Sequence, residues 1–214
     1  MKNIFHFISE IGKLKADGRR GWKLHEIKDP ETTASHSFQM AMLVLVLGMK
    51  KDKDFDLERA IKMALIHDIC EVYSPDLTSY DAAGIDEEDE FTKEDVDSLV
   101  PKKTRPTTKQ RRKMKRVKEE LEKEAIEKLT EDLPAEIGGE IREIWEEYEK
   151  RVTPESKFVK QADHMINLMQ GIEYWKQGYE EIEHNLWIRR AKEVFDDPEL
   201  KDFLIELEKS LSRP

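Results

Sequence analysis

A histidine and three carboxylates follow an apolar run in this chain. Residues 64–66 read Ala-Leu-Ile, and His67 and Asp68 come directly after them, followed by Glu71 and Asp76. Burying such groups costs free energy unless they are paired or hold a metal ion. The placement therefore points either to a metal site or to a set of internal ion pairs.

Four side chains have the right chemistry to bind one divalent metal ion. They lie on three predicted helices in apolar surroundings, and the helices of a bundle can aim such groups at one interior point. Two imidazoles and two carboxylates suit Mn²⁺, Co²⁺, Fe²⁺, Ni²⁺, Zn²⁺ or Mg²⁺. Because a lone histidine or aspartate on a helix is usually a surface, capping or core residue, spacing alone leaves both interpretations open. The four residues are His36, His67, Asp68 and Asp163.

The elements that must position these residues are helices. Period-3.6 patterning runs through almost the whole chain, and strand alternation is nearly absent. Asp29-Pro30 predicts the start of one helix, which runs to about Met49. Asp56 predicts the N-cap of the next helix, which reaches Asp68. Thr-Pro and Asp-Pro pairs predict the starts of two later helices.

Length and composition favour one all-α domain over residues 1–214, a helical bundle with the candidate metal site between its core helices. A formal net charge of −10 argues against binding nucleic acid with the whole surface.

The single cysteine, Cys70, fits a reducing cytoplasm, so we expect a cytoplasmic protein. No run approaches the roughly 18 apolar residues needed to span a membrane.

A charged segment at about residues 81–113 interrupts the helical pattern. Its first part is acidic, and residues 102–118 contain ten Lys or Arg and no acid. Because it has few apolar residues, we expect this segment to be the least ordered part of the molecule. The basic block could bind RNA or DNA, but a solvated or self-paired charge run is the simpler interpretation.

The order and spacing of four motifs resemble the HD-domain metal-dependent phosphohydrolases, within them the 5′-deoxynucleotidases and their HD-domain-containing relatives. The motifs are LKADGRRGW (14–22), PETTASHSFQMA (30–41), ALIHDICEVYSPD (64–76) and IREIWEEYEKRVTPESKFVKQAD (141–163). The resemblance covers most of the chain and implies a single HD domain in which segment 81–113 is an insertion. The metal ligands that it implies are His36, His67, Asp68 and Asp163.

The resemblance also implies roles for two acids. Glu71 stands four residues after His67, so it projects toward the same face if the helix continues. Its implied role is to orient or deprotonate the attacking water. Asp76 matches a second acid that donates a proton or binds water. The alternative for Asp76 is a plain turn residue after Pro75.

Three further residues are implied to contact the substrate. Arg19 matches the arginine of an R-x-G-W motif that binds phosphate, although the adjacent Arg20 has the same chemistry. Trp22 is implied to lie beside the sugar, and its alternative is a core anchor. Lys160 precedes Asp163 by three residues and helps to neutralise the phosphate, or is an ordinary surface lysine.

Together these assignments imply an enzyme that uses one divalent metal ion to release phosphate from nucleoside 5′-monophosphates, with deoxyribonucleotides favoured. One alternative is an HD phosphohydrolase that acts on another phosphorylated metabolite or nucleotide. A second is a non-enzymatic helical scaffold or RNA-binding module. The resemblance implies a homodimer with a small-molecule nucleotide substrate. We expect no membrane partner and no nucleic-acid partner.

Overall fold

The computed structural model describes residues 1–211, and all the regular structure in this range is helical. This confirms the predicted all-α class. No helix in the described range is both long enough and apolar enough to cross a membrane. The α-helices are α1 (Lys2–Ile11), α2 (Arg20–Leu24), α3 (Thr33–Gly48), α4 (Leu57–Ile66), α5 (Ser79–Gly84), α6 (Thr108–Thr130), α7 (Ala135–Lys150), α8 (Pro154–Lys176), α9 (His184–Val194) and α10 (Pro198–Leu211). Short 3₁₀ helices cover Gly12–Lys15, Ile69–Val72 and Lys93–Ser98.

The chain folds into two compact units. The first unit comprises Met1–Pro30 and Ile69–Gly139, and the second comprises Glu31–Asp68 and the chain from Glu140 onward. Each unit buries a hydrophobic cluster of its own. The assignment of residues 1–214 to a single domain therefore stays a prediction.

Helix α3 of the second unit begins at Thr33 because Thr32 and Ser35 form a capping box. The Thr32 hydroxyl accepts from the Ser35 backbone N–H at 3.1 Å, and the Ser35 hydroxyl accepts from the Thr32 N–H at 2.9 Å. These bonds satisfy amide groups that the helix itself leaves unpaired. The predicted start at Asp29 was wrong: Asp29 has a φ of 54°, in the left-handed region that right-handed helices exclude.

Two other predicted helix starts are confirmed. The Asp56 carboxylate accepts from the Arg59 N–H at 2.9 Å and caps α4. Helix α8 starts at Pro154, after a capping box between Thr153 and Ser156. The core of this unit forms where α3, α4 and α8 pack on one another. Its fully buried side chains include Met40, Val44, Ala60, Met63, Val159, Ala162 and Met165.

Helix α4 ends one residue before the His-Asp pair. Ile66 is the last residue of α4, and its C-cap His67 keeps right-handed helical backbone angles (φ −57°, ψ −38°) and donates its N–H to the Met63 carbonyl at 2.9 Å. The chain then tightens into the 3₁₀ helix Ile69–Val72, a common ending for an α-helix. The helix predicted to run through Asp68 is therefore shorter, and the argument that placed Glu71 by α-helical spacing does not hold.

The charged segment 81–113 is packed more closely than we expected. In the first unit, Ile85 and Phe91 of this segment are buried with Met114 and Val117 of α6. The Lys113 ammonium donates to the carbonyls of Asp86 and Glu87, each at 2.8 Å, and to that of Asp89. Arg116 donates to the Phe91 carbonyl at 2.7 Å. Lys113 and Arg116 are thus bound to backbone carbonyls of their own unit. The interpretation of the basic block as a solvated or self-paired charge run stays a prediction.

Phe91→Ala should unfold this packing. Phe91 is 5% exposed, and removing a buried phenyl ring typically costs about 3–5 kcal/mol of unfolding free energy. We expect a lower urea midpoint and faster proteolytic cutting within residues 81–113. Val100→Ala is the matched control, because Val100 lies in the same segment and is 71% exposed. Equal proteolysis of the two variants would show that the phenyl ring does not hold the segment.

Candidate active site

Three helices of the second unit bring His36, His67 and Asp163 together. One ligand atom from each lies within 4.8 Å of the others, and all three residues are buried. The two imidazole rings are 5.5 Å apart, and Nε2 of His36 is 3.2 Å from Oδ1 of Asp163. On the other side of His36, Oε1 of Glu31 lies 3.7 Å from Nδ1. Metal-binding histidines often have a carboxylate near that nitrogen, and the 3.7 Å distance here is longer than a hydrogen bond.

The hydrogen bonding of His67 tests whether a cation fits this site. Its Nδ1 lies 3.0 Å from the Ala64 carbonyl, which can only accept, so Nδ1 carries the proton. Its Nε2 lies 2.9 Å from Oδ2 of Asp68 and makes no hydrogen bond with any of the described residues. Nε2 and the Asp68 carboxylate thus face each other without a hydrogen bond between them, an arrangement that suits a proton or a cation bound by both atoms. A divalent ion fits this donor set.

Asp163 is held by donors from its own unit. Lys160 donates to Oδ2 at 2.8 Å, Tyr148 donates to the same oxygen at 3.1 Å, and Asn167 donates to Oδ1 at 2.8 Å. Burial by itself would raise the pKa of the Asp163 carboxyl, but the Lys160 ammonium and the hydrogen bond with His36 hold that pKa well below its usual range. Asp163 is therefore an anion at neutral pH.

Tyr148 and Asn167 support the site and were not identified from the sequence. Burial, together with the charges of Asp163 and Asp68, raises the pKa of Tyr148 well above its usual value, so its hydroxyl stays a neutral donor. The Tyr148 ring also packs edge-on against His67, at a centroid distance of 5.3 Å. Asn167 follows Asp163 by one helical turn, a spacing that could have revealed it.

Asp68 and Lys160, the other two predicted site residues of this unit, each contact a member of the group. Asp68 contacts His67 but does not belong to the group whose ligand atoms lie within 4.8 Å. The Lys160 ammonium contacts Asp163 and also donates to the Tyr148 hydroxyl at 3.0 Å. Both assignments, Asp68 to the metal and Lys160 to the substrate, stay predictions.

The remaining predicted residues belong to the first unit. Glu71 is buried in the 3₁₀ helix, and Trp22 is 5% exposed in α2, which suits its alternative role as a core anchor. Oδ2 of Asp76 accepts from the Arg20 N–H at 2.8 Å. The Arg20 guanidinium forms an ion pair with Asp81, a residue for which we predicted no role from the sequence.

The HD domain family model matches residues 11–200, a range that includes every candidate ligand. The chain belongs to the HD-domain family. A Dictyostelium discoideum relative named 5′-deoxynucleotidase HDDC2 is 31% identical over 216 residues, which cover 97% of this chain and 98% of that protein. The human protein of the same name is 28% identical over 214 residues, covering 97% of this chain and 85% of its own length.

Solved structures show the same fold. A conserved hypothetical protein from Pyrococcus furiosus is 26% identical with a TM-score of 0.67, covering 96% of this chain and 99% of its own. A structure described as a predicted metal-dependent phosphohydrolase from Magnetospirillum magnetotacticum has a TM-score of 0.61 and 22% identity. It covers 98% of this chain and 91% of its own. At 22% identity, the second likeness concerns the fold of this HD-domain chain alone.

Metal removal should destabilise the protein. Purified protein should contain a divalent ion, and chelation should lower the melting temperature, because an ion that binds only the folded state stabilises it, by about 2.7 kcal/mol at a hundredfold excess over Kd. His67→Ala should abolish this chelator effect. The control is His184→Ala, a buried histidine of the same unit outside the group. Absence of metal, with melting unchanged by chelator, would contradict the assignment.

Tyr148→Phe should weaken metal binding while preserving the ring packing on His67. The change removes the hydroxyl that donates to Asp163, and losing such an outer partner of a metal ligand typically costs about 10–100-fold in affinity. Competition with a calibrated chelator measures the change. Tyr179→Phe, on a half-exposed tyrosine of the same unit, is the control. Equal affinities for the two variants would remove Tyr148 from the site.

Proposed function

We propose that this HD-domain chain is a metal-dependent phosphomonoesterase that releases phosphate from nucleoside 5′-monophosphates and favours deoxyribonucleotides. The observation that carries the proposal is the buried group of His36, His67 and Asp163, beside which Nε2 of His67 lies 2.9 Å from the Asp68 carboxylate. The substrate class is supported by relatives named 5′-deoxynucleotidase that align with nearly the whole chain.

In this proposal one divalent ion is held by His36, His67, Asp68 and Asp163. Bound there, it would supply Lewis acidity to the phosphoryl group and neutralise developing negative charge. Its identity is open among Mn²⁺, Co²⁺, Fe²⁺, Ni²⁺, Zn²⁺ and Mg²⁺, since this donor set suits each of them. The hydrogen bonds to Asp163 from neighbouring side chains keep that carboxylate ionised and oriented.

The proton transfers are assigned to two acids of the first unit. Glu71 takes a proton from water as the water oxygen forms a bond to phosphorus. The bond between phosphorus and the 5′-oxygen breaks, and Asp76, which begins this step as the carboxylic acid, donates its proton to that oxygen. The products are a nucleoside and inorganic phosphate. We propose the role of Asp76 alongside its hydrogen bond to the Arg20 backbone, which occupies one carboxylate oxygen and leaves the other available.

The phosphate contacts are assigned to Arg19 and Lys160, and the sugar contact to Trp22. Arg19 is assigned because it occupies the arginine position of the R-x-G-W motif, and the adjacent Arg20 guanidinium pairs with Asp81. Lys160 adds a positive charge beside Asp163. The bulk of Trp22 would disfavour a 2′-hydroxyl, which a comparison of dAMP with AMP tests directly.

Two alternatives are separable by experiment. A phosphohydrolase for another metabolite would use the same metal group, so only a phosphate-release screen over many substrates distinguishes it. An RNA-binding module is less well supported, because Lys113 and Arg116 of the basic block donate to backbone carbonyls of their own unit. We also propose that the chain acts as a single HD domain, as a homodimer and in the cytoplasm.

Glu71→Gln should abolish most phosphate release from dAMP while the metal content stays the same. Removing a general base typically costs about 10²–10⁴-fold in turnover. The matched control is Glu122→Gln, a buried acid of the same unit to which we assign no role. Turnover at the parent rate in Glu71→Gln would exclude the mechanism even with metal bound. A parent protein that releases no phosphate from any nucleotide would exclude the function.

A further inference from the structure

We infer that Asp81 is a positioning residue for substrate binding, whose buried carboxylate clamps Arg20 so that the adjacent Arg19 is presented to a phosphate group. The inference rests on the proposed function, because it concerns recognition of the same phosphorylated substrate. It adds a residue that lies outside the motifs on which the resemblance depends.

The carboxylate of Asp81 is completely buried and serves two partners. Oδ1 accepts from Nε and Nη2 of Arg20 at 3.0 and 2.7 Å, so the arginine binds through two nitrogens. Oδ2 accepts from the backbone N–H and the hydroxyl of Thr78 at 2.9 and 2.7 Å. Guanidinium–carboxylate pairs of this kind fix direction as well as distance, because the planar fork fits only one orientation.

Arg20 is held at its backbone as well as at its side chain. Its N–H donates to Oδ2 of Asp76 at 2.8 Å. Arg20 opens α2, a helix of five residues, which is too short to be stable without outside contacts. The two aspartates therefore supply the contacts that hold this turn, and Arg19 directly precedes it at the N-cap.

The competing explanation is that Asp81 only caps helix α5. The same unit contains a second capping box of the same type, in which Asp95 accepts from the N–H and hydroxyl of Thr92, both at 2.8 Å. Within the described residues Asp95 has no arginine partner, and its 3₁₀ helix has no buried residue. Capping therefore requires neither burial of the carboxylate nor an arginine. Both features of Asp81 are explained by the clamp on Arg20.

Asp81 keeps its charge in this environment. Burial would raise the pKa of the carboxyl, but the hydrogen bonds from Arg20 and Thr78 outweigh burial and lower it. An Asn at this position would keep the shape and lose the charge. The pair Asp81→Asn and Asp95→Asn therefore compares the same chemical change in two capping boxes, of which one includes an arginine.

The test measures KM and kcat for dAMP and the Kd of inorganic phosphate by calorimetry, on the full chain loaded with metal. Asp81→Asn should raise KM and the phosphate Kd by about 10–100-fold, the loss expected when a charged hydrogen bond is misplaced. The effect on kcat should be smaller. Asp95→Asn should leave all three values at the parent level. Similar shifts in both variants would overturn the inference, as would a loss confined to kcat.

Arg20→Gln removes the guanidinium and leaves the Thr78–Asp81 capping box intact, so it keeps the test decisive if Asp81→Asn fails to fold. It should reproduce the rise in KM and in phosphate Kd, and parent values would overturn the inference. A failure of the proposed function can be distinguished from a failure of this inference. If the parent binds phosphate but hydrolyses no nucleotide, a weaker phosphate Kd in Asp81→Asn still supports the clamp, and an unchanged Kd overturns it.

Discussion

The Asp163 carboxylate is buried beside two imidazoles, and this burial determines which side chains the second unit must place around it. A charge in an apolar core is stable only when its partners surround it. Asp163 has such partners in His36, Lys160, Tyr148 and Asn167. Their positions require α3, α7 and α8 to hold a fixed register, which the capping boxes at Thr32 and Thr153 help to define.

The two units each bury an aspartate whose two carboxylate oxygens both accept hydrogen bonds, Asp81 in the first unit and Asp163 in the second. In the first unit, both oxygens of Asp81 accept hydrogen bonds from protein groups, so the cluster holds its shape without a ligand. In the second unit, Nε2 of His67 faces a carboxylate without a hydrogen bond among the described residues. In native proteins such a buried polar atom is usually accounted for by a water, an ion or a functional role.

Local chemistry explains which parts of this architecture could be predicted from the sequence. Asp56 and Pro154 marked helix starts correctly, because a cap depends on residues within a single turn. Asp29-Pro30 offered the same signal but failed, because Thr32 and Ser35 form a better cap nearby. Polar residues on apolar helices predicted a group of four, and the structure brings ligand atoms of three of them, His36, His67 and Asp163, within 4.8 Å of one another.

Contacts between distant parts of the chain explain what the sequence could not show. Asp81 and Arg20 are 61 residues apart, and nothing in either local pattern indicates the pair. Average composition made segment 81–113 look poorly packed, but a few of its apolar residues, such as Phe91, are buried with residues of α6. The resemblance implied the role of Glu71, and its direction relative to His67 was predicted for a continuous α-helix, but the chain forms the 3₁₀ helix Ile69–Val72 there.

The adjacent Arg19 and Arg20 show that a sequence motif can identify which kind of side chain binds a phosphate without identifying which residue does so. Arg19 and Arg20 have the same charge and the same hydrogen-bonding geometry, so in the sequence they are equivalent candidates for a phosphate. Folding makes them different, because a buried carboxylate neutralises one guanidinium and holds it in place. A substrate phosphate would have to compete with Asp81 for Arg20, and breaking a buried ion pair leaves an uncompensated charge. The ion pair with Asp81 keeps Arg20 from binding the substrate phosphate. The same pair restricts the backbone beside Arg19 and so orients Arg19 toward that phosphate.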